Sequence, residues 1–364
     1  MIVDVVDRTE AFEALRDEWD AAVAASVDPN VFLTWEWLHT WWQHFGVGSS
    51  RSRLHLVIVR DEHGIAAAAP LFELDRGVRP MASTTLRQVG YDAGDYGGIV
   101  LVRRLDEAVD ALLEHLAEQL RGDVDQVVLS RLASDSVTLE HLRAALGRAP
   151  HDRRLATAEL EADDSVCPYT DVRDGYDMIR PLRKNRVPQR LRRLGEAHEV
   201  EFTYHTGPTL EQGITWLADL HERRWADRQA EFSGLLADKA ATEFLNDAIR
   251  ALDSAGWLRM LTLTADGKPV AVRLDFEYAK RVYMLKNAID PEFSAFGPGH
   301  ITHARVLEEG MARGVEEFDF LRGDHDYKRR WSNGERHLLA VNLRRPGLVG
   351  ELARQRSRVA GRLR

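Results

Sequence analysis

The sequence predicts a mixed α/β (α+β) protein built as two similar halves, each a mixed, mostly antiparallel sheet flanked by helices. Three observations carry this. Two distant segments repeat the order strand, strand, strand, helix, strand. Both repeated helices end at glycine, Arg121-Gly122 and Arg313-Gly314, where a left-handed C-cap is expected. The chain has 364 residues, 44% of them hydrophobic, enough for two domains of about 150 residues with a core each.

In the first half, Thr34 is expected to cap a helix carrying Trp37, Trp41 and Phe45 on one side. Next comes a hairpin: Leu54 to Arg60, a turn from Asp61 to Gly64, and Ile65 to Phe72. A short strand from Gly98 to Val102 leads to a helix striped by Val109, Leu112, Leu113, Leu116 and Leu120, and Asp125 to Arg131 reads as the closing strand. A polar stretch from Ala162 to Gly175 marks the expected boundary. The expected division is 1–165, 166–345 and an Arg-rich tail, 346–364.

The second half opens with a basic helix from about Pro181 to Ala197 and a short strand, Val200 to Tyr204. Two helices follow, one striped by Leu210, Ile214, Leu217, His221 and Trp225, the other by Phe244, Leu245, Ala248, Ile249 and Leu252. A second hairpin joins Trp257–Thr264 to Lys268–Phe276 through Asp266-Gly267. Then come a strand from Arg281 to Lys286, a helix carrying Ile301, Ala304, Leu307 and Met311, and a strand from Val315 to Leu321.

Composition excludes several classes. One cysteine forms no disulfide scaffold, and Cys167 has no neighbours at metal-ligand spacing, so no metal is expected. The longest run free of Asp, Glu, Lys and Arg is 14 residues, Trp37 to Ser50, short of the roughly 20 a bilayer requires. No signal-peptide pattern opens the chain, so the cytoplasm is the expected compartment. A net charge of −9 argues against a nucleic-acid coat. Charge is uneven, however: Met178 to Arg193 holds seven basic residues and no acid. That block has three readings: a solvated face, a contact for a cofactor phosphate, or a grip on another anion such as a tRNA acceptor stem.

The sharpest local signal is Phe293 to Ile301, where Phe296-Gly297-Pro298-Gly299-His300 lies between a strand and a helix. Glycines admit a close backbone approach, proline suits the first helical turn, and free N–H groups there favour a pyrophosphate. The second is Glu317 to Trp331, in which a strand sets Asp319 opposite Phe318 and Phe320 and a glycine turn leads to Tyr327 and Lys328. A carboxylate there can take a proton from an amine, and a tyrosine can give one to a leaving thiolate. Asp275 and Glu277 share one face of the second hairpin strand.

Together these segments resemble the GNAT superfamily of N-acyltransferases, and within it the CelD-like (BioF2-like) branch related to Fem-type peptidyltransferases. Phe32 to Gly46, Asp95-Tyr96-Gly97-Gly98 and Arg183 to Arg193 fit the same branch, and the likeness covers about residues 1 to 345. It implies tandem duplicated GNAT-like domains, the second binding acetyl-CoA or another acyl-CoA. Phe296, Gly297, Pro298, Gly299, His300, Ile301 and Lys328 are the implied cofactor residues. Ser294 to Gly299 stands where many GNAT proteins have Gln or Arg-x-x-Gly-x-Gly or Ala. The superfamily fixes no general base. The catalytic candidates are Asp275, Glu277, Asp319 and Tyr327; the substrate-side candidates are Asp95, Tyr96, Arg186 and Trp225. The expected reaction is acyl transfer to an amine or hydroxyl of a small molecule or cell-envelope precursor. The alternatives are an aminoacyl-tRNA-dependent peptidyltransferase and a non-catalytic double-GNAT binding protein.

Overall fold

A computed structural model describes residues 1–77, 83–148, 157–173, 175–225 and 239–345. The chain forms two compact units, Met1–Asp164 joined by the segment from His337, and Ser165–Arg336. The final strand, Gly334–Arg344, thus passes from the second unit into the first, whereas the sequence placed the second domain through residue 345. The Arg-rich tail, 346–364, lies outside the described residues.

In the first unit the expected hairpin pairs Leu56–Asp61 with Gly64–Ala69, and Gly64 takes a φ of +104° at the turn. Ile2–Val6 and Val100–Leu101 flank it in a four-stranded sheet. The helix Leu105–Arg121 buries Val109, Leu112, Leu113, Leu116 and Leu120 against Val57, Val59, Ala67 and Val127. Each such side chain contributes about 1.5–3 kcal/mol of transfer free energy. One strand is not evident in the sequence. The strand that runs parallel to Gln126–Ala133 is Ser83–Gln88, with Thr85, Leu86 and Arg87 opposite Gln126, Val127 and Val128. Gly98 to Val102 contributes only Val100–Leu101, to the other sheet. Leu86 is the one apolar residue of Ser83–Gln88, so this half-buried strand left no apolar run to read.

Thr34 does precede the helix Trp35–Phe45, but its hydroxyl donates to the carbonyl of Val31 instead of accepting from the first turn. Trp37, Trp41 and Trp42 are buried there, and the Trp41 indole donates to Asp92 at 2.8 Å.

In the second unit the strands run Val200–His205, Leu258–Ala265, Lys268–Tyr278, Arg281–Ile289, Glu317–Asp319 and the end of Thr157–Asp171. All neighbours are antiparallel except Arg281–Ile289 with Glu317–Asp319. The stretch read as a polar boundary is thus strand as far as Asp171. At the hairpin turn Asp266 and Gly267 both have positive φ, +49° and +74°, as a two-residue type I′ turn requires.

The basic segment is two helices, Ile179–Lys184 and Val187–Ala197, instead of one. Asn185 folds its amide back onto the Pro181 carbonyl and Arg186 turns left-handed at φ +55°, which breaks the helix before Pro188. Between the parallel strands the helix Pro298–Ala312 crosses over, burying Ile301, Thr302, His303, Ala304, Val306, Leu307 and Gly310. A Cβ on Gly310 would stand 2.6 Å from Cζ of Phe318, so glycine sets how closely this helix lies on the sheet.

Candidate active site

The site is built where the parallel pair of the second unit comes apart. Arg281, Val282 and Tyr283 pair with Glu317, Phe318 and Asp319, and the pairing stops there. The strand Arg281–Ile289 continues, bonded to its antiparallel neighbour as far as Ala271–Ile289. Beyond Tyr283 no strand among the described residues pairs with its other edge. The register also shifts at that point: Leu274 faces Lys286 and Asp275 faces Met284, so Leu285 is an extra, bulged residue. Bulges of this kind re-aim backbone groups and end pairing.

The helix Pro298–Ala312 starts beside this edge. Gly297 has φ +62°, and a Cβ there would collide with the guanidinium of Arg190. Pro298 fills the first helical position, and a Cβ on Gly299 would meet Asn287 Nδ2 at 3.0 Å. The phosphate turn expected from the sequence is thus a tight, glycine-dependent junction, and no acidic residue occupies its first turn. Basic groups gather around it. Arg190 donates to the Asn185 carbonyl at 3.0 Å, and Arg193 sits 5.7 Å over the Phe296 ring. Burial, with Arg186, Arg330 and Arg193 nearby, pulls the Arg190 guanidinium below its ordinary pKa. An anion would relieve that crowding of positive charge.

His300 lies half-buried in the first turn and accepts a hydrogen bond from Trp331 Nε1 at 3.0 Å. Burial, then Arg190 and Arg330, lower its pKa to about 4, so the ring is neutral near pH 7. One turn on, His303 is fully enclosed. Its Nδ1 lies 3.2 Å from Arg273, and its ring lies 4.2 Å from Trp331 and 5.1 Å from Phe320.

The three carboxylates proposed from sequence as catalytic are each held by arginine. Asp275 is completely buried and takes two bonds from Arg273, at 3.0 and 3.1 Å; burial raises its pKa against that pairing. Glu277 lies between Arg259 and Arg313; burial opposes ionisation, but the two guanidiniums win and its pKa falls. Asp319 sits on the opposite face from Phe318 and Phe320, accepting from Leu321 N at 2.7 Å and Arg336 at 2.8 Å. Tyr327 is exposed and stacks on His325. Lys328 is buried, its ammonium bound to the Leu321 and Arg322 carbonyls, so it ties down the turn after the strand. Arg186 is exposed at the helix break. Asp95 and Tyr96 belong to the first unit, and Tyr96 lines a small cavity there with Phe32, Gln88 and Arg131. The side chain of Trp225 lies outside the described residues.

The matching place in the first unit is closed. Ser83–Gln88 pairs with Leu71–Arg76 without a bulge. Where its parallel partner diverges, the Gln88 side chain fills the gap, donating to the Gly98 carbonyl at 2.5 Å and accepting from Ser130 N at 2.7 Å. The helix there begins with Asp106 and Glu107, which disfavour an anion.

Residues 182–329 match the acetyltransferase (GNAT) domain family, so this part of the chain is a GNAT domain. The whole fold is similar to FemX at 13% identity, covering 93% of this chain and 97% of that one, TM-score 0.61. It is also similar to a conserved protein of unknown function from Bacteroides thetaiotaomicron, at 13% identity over 94% and 100% of the two chains, TM-score 0.59. L-PGS from Bacillus licheniformis follows at 12% identity, 94% of each chain, TM-score 0.55. No curated protein matches the chain in sequence. Among the described residues, no helix is long and apolar enough to cross a membrane, and no three His, Cys, Asp or Glu side chains group to hold a metal.

Sequence reasoning passed over His303, Asn287 and Arg330. The spacing of His300 and His303, three apart on one helix, was the available signal; Arg330 reaches the helix only through the fold.

Proposed function

We propose that the protein transfers an acyl group, acetyl in the simplest case, from a CoA thioester to an amine or hydroxyl. The observation that carries this is the crowding of Arg186, Arg190, Arg193 and Arg330 around the turn opened by Gly297 and Gly299. Such a turn suits a pyrophosphate: backbone N–H groups and the helix dipole meet the charge, and the arginines neutralise the remainder. The thioester arm would then lie along the open edge of Arg281–Ile289, toward the bulge at Leu285. There a freed backbone N–H can stabilise the developing oxyanion.

Asp275, Glu277 and Asp319 act in this reading as anchors of the strand edge, since each spends its charge on arginine. Tyr327, one turn before Trp331 and exposed, is the residue to protonate a departing thiolate. The acceptor is a small molecule or a cell-envelope precursor, met in the cytoplasm. The first unit, whose corresponding gap is filled by Gln88, supplies no second donor site.

A second reading, an aminoacyl-tRNA donor of the Fem type, is favoured by one observation: Arg180, Arg183, Lys184, Arg186 and Arg192 are all exposed on the two short helices. Calorimetry separates the two. Saturable acetyl-CoA binding, with thiol release on adding an amine or sugar acceptor, supports acyl-CoA transfer. Binding of tRNA with a steep salt dependence and no heat from acetyl-CoA replaces it with the second reading. Tight acetyl-CoA binding without turnover over a broad acceptor panel leaves a binding protein.

A further inference from the structure

His303 is only 3% exposed, yet half of its hydrogen-bonding capacity is unused. Arg273 has only donors to offer, so at 3.2 Å His303 Nδ1 accepts and the ring proton is on Nε2. Burial and the charge of Arg273 hold the imidazole neutral. Arg273 cannot turn away, because its Nε and Nη2 both donate to Asp275. That leaves Nε2–H, which has no partner among the described residues. Buried N–H groups in this condition are uncommon, and each calls for an explanation.

The position of the ring says where that acceptor would lie. The two imidazole nitrogens point to opposite ends of the ring, so Nε2 faces away from Arg273. Arg273 lies on Lys268–Tyr278, opposite Asn287 of the strand whose other edge is open. Of the two rings that flank His303, Phe320 directly follows the diverging partner strand and Trp331 follows the short helix Asp326–Arg329 after it. His303 therefore reaches from one strand, across the open edge, to two aromatic walls beyond it. We propose that His303 donates its Nε2–H to an amide carbonyl of the pantetheine arm as that arm lies along the open edge between Phe320 and Trp331. This rests on the acyl-CoA reading. It adds a side-chain contact that recognises the donor's arm separately from its phosphates.

The test uses full-length protein, two variants and two probes in calorimetry: acetyl-CoA, and 3′,5′-ADP, which has the nucleotide phosphates but no arm. His303→Phe keeps the ring volume and removes the donor; His303→Gln keeps an N–H near the Nε2 position. The expected result is a roughly tenfold loss of acetyl-CoA affinity in His303→Phe. Affinity for 3′,5′-ADP should stay within about twofold, and His303→Gln should recover most of the acetyl-CoA loss. Equal acetyl-CoA affinity in wild type and His303→Phe overturns the proposal, as does a parallel loss on both probes. If wild type binds 3′,5′-ADP but no acetyl-CoA, the arm contact falls while the phosphate turn stands. If it binds neither, the acyl-CoA reading falls and takes this inference with it.

Discussion

The indole N–H of Trp331 donates to Nδ1 of His300 at 3.0 Å, joining the turn after the short parallel strand to the first turn of the helix above it. The bond exists only while the imidazole keeps a lone pair on Nδ1, and His300 does, with its pKa lowered to about 4 by burial, Arg190 and Arg330. In the unfolded chain the same ring titrates near 6.5. Between these values the unfolded state binds the extra proton, so stability is full above pH 6.5 and falls as pH drops toward 4. Wild type should therefore lose melting temperature more steeply over this window than His300→Asn, which keeps an acceptor but has no proton to take. Parallel curves in thermal melts from pH 7.5 to 4.5 would remove His300 from the linkage.

The arginines that repel a proton from His300 are the ones assigned to the donor's phosphates. Replacing both Arg190 and Arg330 by Gln should raise the His300 pKa from about 4 toward 6.5, as followed by NMR titration, though burial, the larger cause, keeps it low. The same double variant should weaken acetyl-CoA binding by at least roughly tenfold. A moved pKa with unchanged affinity would mean that the charge gathers at the turn for another ligand.

Two glycines two positions apart should respond differently to alanine. Gly297 has φ +62° and Arg190 in the way, so Gly297→Ala costs stability, about 1–2 kcal/mol from the left-handed backbone alone. At Gly299 the backbone is ordinary, and the new methyl meets only the Asn287 amide at 3.0 Å, a side chain that can shift. Gly299→Ala should melt near wild type and still lose acetyl-CoA affinity in calorimetry, because the methyl stands where a phosphate would come close. Wild-type affinity in that variant would sink the phosphate-turn assignment.

Much of this was legible in the chain, and the parts that were not have physical causes. Both hairpins, both crossover helices and the start of the helix at Pro298 follow from periodicity and turn chemistry, which are local. Ser83–Gln88, the parallel strand of the first unit, escaped reading because Leu86 is its one apolar residue. The helix break at Arg186 hides in a run of charged residues whose pattern suits a single helix. The partners of the candidate site residues could not be read from the chain. Nothing local to Asp275 or Glu277 says that Arg273, Arg259 and Arg313 will claim them, or that Lys328 will turn inward to two carbonyls.

Those partners separate anchoring from proton transfer at Asp275. Asp275→Asn would leave Arg273 charged and buried without its counter-ion, which costs about 3–5 kcal/mol. Glu277→Gln removes a pairing that solvent partly screens, at about 1 kcal/mol or less. Denaturant midpoints at constant slope measure both. A loss below about 1 kcal/mol for Asp275→Asn would return that carboxyl to the list of bases. The double replacement Arg273→Leu with Asp275→Leu removes the charge with its partner, so it should recover much of the stability. It should not recover acetyl-CoA affinity, because His303 Nδ1 then loses the donor that fixes its tautomer and aims its Nε2–H across the open edge. Recovery of both would mean that the Asp275, Arg273 and His303 array serves packing alone.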